Sequence, residues 1–165
     1  MSGLEEPAPA PAARVRELLE RINEALALGA EIEVVEDSHR IRCVLHGDDM
    51  GLFIGRHGQT IDAVQHLAFK VAAQGQSPAP KVEVDAAGYR ERRRIALERQ
   101  ADQAAADARR SGRPVALDAM SANERKVVHE YLKDREDVET FSEGAEPDRH
   151  LVIAPLRDER DTQRT

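Results

Sequence analysis

A chain of 165 residues, 41% apolar and 33% charged, has material for one ordinary core or two small ones. A lone cysteine, Cys43, excludes an intrachain disulfide framework and a cysteine-based zinc site, and no apolar run approaches the roughly 18 residues of a membrane span. The net charge of −7 is unevenly spread: residues 86–113 hold eight arginines against four carboxylates, between acidic flanks, and phosphate binding answers to the local field rather than the total.

Residues 1–13, rich in Pro and Ala and without an apolar period, read as a disordered tail. Val15, Leu18, Leu19, Ile22, Ala25 and Leu26 then recur at helical spacing, and Gly29 stops the helix. Two strands follow, EIEVVE over 31–36 and HRIRCVLH over 39–46, joined by a tight turn at Asp37-Ser38. Cys43 falls on the apolar side of the second and reads as an inert buried thiol. A short helix ends at Gly55, and a longer one begins near Gly58 with Ile61, Val64, Leu67, Ala68 and Val71 as its stripe. KVEVD over 81–85 is a third strand, which completes one α+β module over 14–85. A long helix from Tyr89 to Arg110 opens a second α+β module over 88–155. In it PVALDAM (114–120) reads as a short strand and Ser121-Ala122-Asn123-Glu124 as a capping box before a helix over 122–133. Two more strands, 137–143 and 149–154, complete the module, and residues 156–165 read as a charged, disordered tail. The N-terminus carries no secretory signal, so the reading is a cytoplasmic protein without a cofactor.

Gly55-Arg56-His57-Gly58 sets two glycines around two polar residues between two helices. Glycine permits the sharp turn and the close approach of a ligand, and the first N–H groups of the following helix form an anion site. Arg56 adds charge, His57 adds a donor, and Ile54 and Ile61 beside the loop can contact base faces. Taken alone, a G-x-x-G is more often a plain helix–turn–helix corner, and this spacing fits neither a P-loop nor a dinucleotide fingerprint.

Arg125 and His129 are four apart in SANERKVVHE and project from one helix face, while Val128, Tyr131 and Leu132 lie on another. An exposed Arg–His pair can contact one phosphate or one flipped base; alone, it also fits a solvated face where the two simply pack together. The run Arg90, Arg92, Arg93 and Arg94 reads either as a solvated helix face or as a phosphate path between the two motifs. Arg149, before His150, is a further cation in the second module.

The segment IGRHGQTIDAVQHL, in a helix-strand-strand-helix-helix-strand order, resembles a KH domain of the bacterial type, type II. In that family the loop clamps about four nucleotides of single-stranded RNA or DNA. MSANERKVVHEYL followed by VETFSEGAEPDRHLVIAP resembles the R-3-H domain, named for its Arg-x-x-x-His motif, a small α+β module with a three-stranded sheet. The two in tandem resemble the bacterial Jag family, also called SpoIIIJ-associated or KhpB/EloR-like proteins. The resemblance implies nucleic-acid contacts at Gly55, Arg56, His57 and Gly58 and at Arg125 and His129, to which the residues themselves add Ile54 beside the loop, Arg94 of the basic run and Arg149 as candidates. It also implies single-stranded RNA, or single-stranded DNA, as ligand, a small KhpA-like KH protein or a second copy as partner, and a gene neighbourhood near a membrane insertase. The role it implies is post-transcriptional regulation or RNA chaperoning linked to cell elongation and envelope growth. Most members carry an additional N-terminal domain, where this sequence has only its Pro-Ala stretch.

Enzyme chemistry is poorly served: Ser121 is better read as a cap, no third group orients His129 as a base, and the six histidines show no metal-ligand spacing. The stronger rival is a protein-interaction adaptor for which RNA is secondary, favoured by the acidic balance outside residues 86–113.

Overall fold

In the computed structural model, which describes residues 9–156, the first element is α1 (Pro11–Ala25). Residues 11–13, expected in the disordered tail, are its first turn. Proline at the start of a helix loses no hydrogen bond and has its φ already set, so Pro11 opens the helix rather than preceding it. The rest of the two expected tails, residues 1–8 and 157–165, lies outside the described residues.

The strands β1 (Glu31–Glu36) and β2 (Arg40–His46) pair antiparallel with Val34 opposite Cys43. Their turn is closed by Asp37, whose Oδ1 accepts the N–H groups of His39 and Arg40, both at 3.0 Å. β3 (Lys81–Ala86) runs parallel to β2 on its other side, giving the order β1-β2-β3. Parallel neighbours need a crossover, which here is α2 (Gly51–Ile54), a 3₁₀ turn over Arg56–Gly58, and α3 (Gln59–Ala73). Alternation along β2 sends Ile41, Cys43 and Leu45 to one face, where they meet Val15 and Leu19 of α1 and Ile61, Val64, Ala68 and Ala72 of α3. Arg14 ties α1 to the end of α3, donating to the carbonyls of Ala72 (3.2 Å) and Gln74 (2.8 Å). Burial pushes the Cys43 thiol up to about 11, with Arg16 opposing the shift.

The chain divides into two compact units between Arg90 and Glu91, within α4 (Tyr89–Ser111). The second unit continues with β4 (Val115–Ala116), α5 (Ala122–Leu132), β5 (Val138–Glu143) and β6 (His150–Pro155). Its sheet has the order β4-β6-β5, antiparallel throughout. α4 buries a narrow stripe, Leu97, Ala101, Ala104, Ala105 and Ala108, and most of it packs with Val128, Leu132, Val138, Leu151 and Ile153. β4 is shorter than the strand expected over 114–120. The period-two pattern of Val115 and Leu117 breaks at buried Met120, and the chain leaves the ladder to bury it. Only single bonds remain, from Leu117 N–H to Leu151 (2.9 Å) and from Met120 N–H to Arg149 (3.2 Å). The capping box is formed as expected: Ser121 Oγ accepts the N–H of Glu124 (3.3 Å), and Glu124 Oε2 accepts the N–H of Ser121 (3.2 Å).

Candidate nucleic-acid interface

At the G-x-x-G corner the backbone is left-handed at Gly55 (φ +73°), His57 (+52°) and Gly58 (+76°). A Cβ on Gly55 would lie 2.1 Å from Thr60 Oγ1, and one on Gly58 would lie 2.9 Å from the Tyr89 hydroxyl oxygen. The glycines therefore serve the protein's own packing: Thr60 and Tyr89 occupy the places that their Cβ atoms would take. At the apex, Arg56 and His57 are exposed. Of the two apolar residues expected to meet bases, Ile61 is fully buried and Ile54 is partly buried against the core. They point inward because each completes the apolar stripe of a helix that packs on the sheet. Leu52, 69% exposed, is the large apolar side chain that α2 presents to solvent.

No side chain caps the N-terminus of α3, and the N–H of Gln59, its first residue, donates to the Arg56 carbonyl through the 3₁₀ turn. The acid in its first turn, Asp62, is occupied by Arg90 at 3.0 Å. Arg90 also donates to Gln65 (3.1 Å) and to the Val84 carbonyl (2.8 Å), which makes it a brace between α3 and β3.

In the second unit an open groove of about 390 Å³ runs between α5 and β5. Arg125, Lys126 and His129 line one wall, Thr140, Phe141 and Ser142 the other. The Arg–His pair thus shares one groove, but the two side chains differ from the exposed pair expected. Arg125 is only 8% exposed, because Nη1 donates to the Met120 carbonyl at 2.7 Å and Nη2 to Glu146 Oε1 at 2.8 Å. His129 is exposed, with Nδ1 2.6 Å from Thr140 Oγ1, which fixes the ring against β5. Arg125 is a held positive floor and His129 a rim group.

Within the arginine run, carboxylates already pair with Arg90, Arg93 and Arg94. Arg93 is paired with Glu124 at 2.6 Å, and Arg94 with both Glu91 (2.6 Å) and Glu98. Arg94, expected at the interface, is neutralised by glutamates three residues before and four after it. Arg149 is exposed on the β5–β6 connection but does not line the groove. Residues absent from the sequence reading are Lys126, Thr140, Phe141 and Glu146. Lys126 stands beside Arg125 in SANERKVVHE and could have been found by charge alone; the others come from strands and loops whose register the sequence leaves open.

The element order, the strand order β1-β2-β3 and the G-x-x-G corner define the first unit as a type II KH domain. The Arg-x-x-x-His helix beside a three-stranded sheet defines the second as an R-3-H domain. Residues 13–85 match the family model described as KhpA/KhpB, KH domain, and residues 95–155 match that of the R-3-H domain. An RNA-binding protein KhpB of Clostridium symbiosum is 37% identical over 146 residues, covering 87% of this chain and 66% of its own length. That of Lactiplantibacillus plantarum is 41% identical over 63% of this chain and 32% of its own length. That of Bacillus subtilis is 30% identical over 89% of this chain and 72% of its own length. The chain belongs to the KhpB family of KH and R-3-H domain proteins. These relatives are named as RNA-binding proteins and not as enzymes, and no helix among the described residues is long and apolar enough to cross a membrane.

Proposed function

We propose that this chain binds single-stranded RNA, without catalysis, through the G-x-x-G corner of the KH domain and the α5–β5 groove of the R-3-H domain. The observation that carries the reading is the exposure of Arg56 and His57 at the apex of a corner that leads into α3, whose N-terminus has no side-chain cap. Cationic and N–H donors converge there where a sugar-phosphate backbone can be gripped. In the groove, Arg125 supplies a fixed charge, Lys126 and His129 supply rim donors, and Phe141 adds a 46% exposed ring to the β5 wall. The names of the relatives support RNA over DNA as the ligand. By the Jag-family resemblance the role is that of a cytoplasmic post-transcriptional regulator or RNA chaperone serving cell elongation and envelope growth. The test is competition: unlabelled single-stranded RNA, single-stranded DNA and duplex RNA are titrated against a labelled single-stranded RNA. Single-stranded RNA competes best if the reading holds; equal competition by duplex RNA overturns it.

A second reading, docking of another KH module, has its own observation. Leu52 on α2 and Leu67 on α3 are 69% and 51% exposed, apolar side chains that suit a KhpA-like partner or a second copy. The matched model, described for KhpA and KhpB alike, supports it. Sedimentation of the wild-type chain and Leu67→Asp, alone and with a KhpA protein, decides: assembly lost in the variant supports docking, and a wild type monomeric in both conditions removes it.

A further inference from the structure

Arg125 already holds an anion. Its Nη2 donates to Glu146 Oε1 at 2.8 Å, while the Met120 carbonyl fixes Nη1 at 2.7 Å. The two partners are unequal. The bond to Met120 is buried, whereas the Glu146 side chain is 61% exposed against 10% for Arg125. Glu146 belongs to the connection 144–149, all of it exposed.

We propose that Glu146 stands in for a phosphate in the unliganded protein, and that an RNA phosphodiester reaches Arg125 by displacing this carboxylate. The inference rests on the reading of the α5–β5 groove as an RNA site. A guanidinium offers the same forked donors to carboxylate and phosphate oxygens, so the two anions compete for one position. The exchange leaves Arg125 in place, because its bond to Met120 does not depend on Glu146. It also keeps a nearly buried cation paired at every stage, which an empty groove would not. The connection holds the placeholder at hand: Gly144 (φ +85°) and the bond from Asp148 N–H to Ala145 (2.9 Å) shape a turn around Glu146. A tethered carboxylate has a high effective concentration, so a lone small anion displaces it poorly. A strand that also meets Lys126 and His129 brings several contacts at once. Glu146 thereby selects a polyanion and sets the affinity of the site.

The experiment is fluorescence anisotropy of the intact chain with a labelled oligouridylate of about ten nucleotides. The proteins compared are wild type, Glu146→Gln, Glu146→Ala, Lys126→Ala and His129→Ala. Glutamine keeps the hydrogen bond to Arg125 but not the competing charge, so Glu146→Gln binds about three- to tenfold tighter. Lys126→Ala and His129→Ala bind more weakly. Melting curves set the temperature below every midpoint, and Glu146→Ala gives the same comparison if the glutamine variant is unstable. Unchanged or weaker binding by both Glu146 variants, with Lys126→Ala and His129→Ala still impaired, overturns the placeholder and leaves the RNA site standing. If no variant changes affinity, the groove is not an RNA site and the inference falls with it.

Discussion

The hydroxyl oxygen of Tyr89 lies 2.9 Å from where a Cβ on Gly58 would stand, so the first residue of α4 is packed against the corner that carries Arg56 and His57. Gly58→Ala meets both this clash and a left-handed φ of +76°, and it destabilises the KH domain by about 1–3 kcal/mol. Tyr89→Phe removes the nearest atom but leaves a ring carbon at 3.0 Å, so it restores only part of the loss. Urea unfolding of the two single variants and the double variant measures this. A Gly58→Ala protein as stable as wild type would show that Tyr89 does not define the corner.

Arg125 is buried and bonded to the Met120 carbonyl, whereas His129 is exposed, so the two substitutions are expected to differ in their effect on stability. Arg125→Ala strands the buried Met120 carbonyl and costs about 1–3 kcal/mol of folding stability along with RNA affinity. His129→Ala, at an exposed position, lowers affinity and leaves the melting temperature within a few degrees of wild type. The pair shares one groove, so the affinity losses are not additive in a double-mutant cycle. Additive losses would place the two side chains on different ligand groups.

Arg94→Gln gives a different signature. Glu91 and Glu98 already neutralise Arg94, so its removal leaves the slope of log affinity against log salt unchanged, where loss of a true phosphate contact reduces it by about one unit. A slope reduced by a full unit would return Arg94 to the interface.

Much of this fold is legible in the sequence because each element announces its period. Ile41, Cys43 and Leu45 alternate, Ile61, Val64 and Ala68 of α3 repeat at helical spacing although Leu67 of the expected stripe is 51% exposed, and Ser121 with Glu124 marks the start of α5. The same local reasoning misjudged Pro11, whose place at a helix start depends on α1 having a core to pack against. It also missed the burial of Arg125. Helical spacing puts Arg125 on a face with His129, but its partner Glu146 is 21 residues away on a loop, and only the register of β5 against β6 brings it there. The pairing of Arg94, by contrast, could have been read from Glu91 and Glu98 at helical spacing.

Asp137 contributes to acid stability. Hydrogen bonds from Arg135, at 2.9 and 2.8 Å, hold the Asp137 carboxyl at about 2, below its ordinary 3.8, with Arg109 adding to the effect at 3.2 Å. A depressed folded-state value contributes stability that is complete above the ordinary value and is lost as pH falls through the folded one. The R-3-H domain therefore loses this contribution between 3.8 and about 2. After solvent screening it amounts to about 1 kcal/mol, so Asp137→Asn melts lower at neutral pH and converges toward wild type in acid. Parallel pH profiles for the two proteins would assign the acid loss to other groups.

The central claim is that the KH corner grips a phosphate backbone, and the salt dependence of RNA affinity for wild type and the Arg56→Glu/His57→Glu double variant tests it most directly. Arg56 and His57 are exposed at the apex, so the double variant keeps the wild-type melting curve. The expected result is a steep negative slope of log affinity against log salt for wild type, with affinity at least about tenfold weaker and a shallower slope in the variant. Equal affinity and equal slope in the two proteins would contradict the claim.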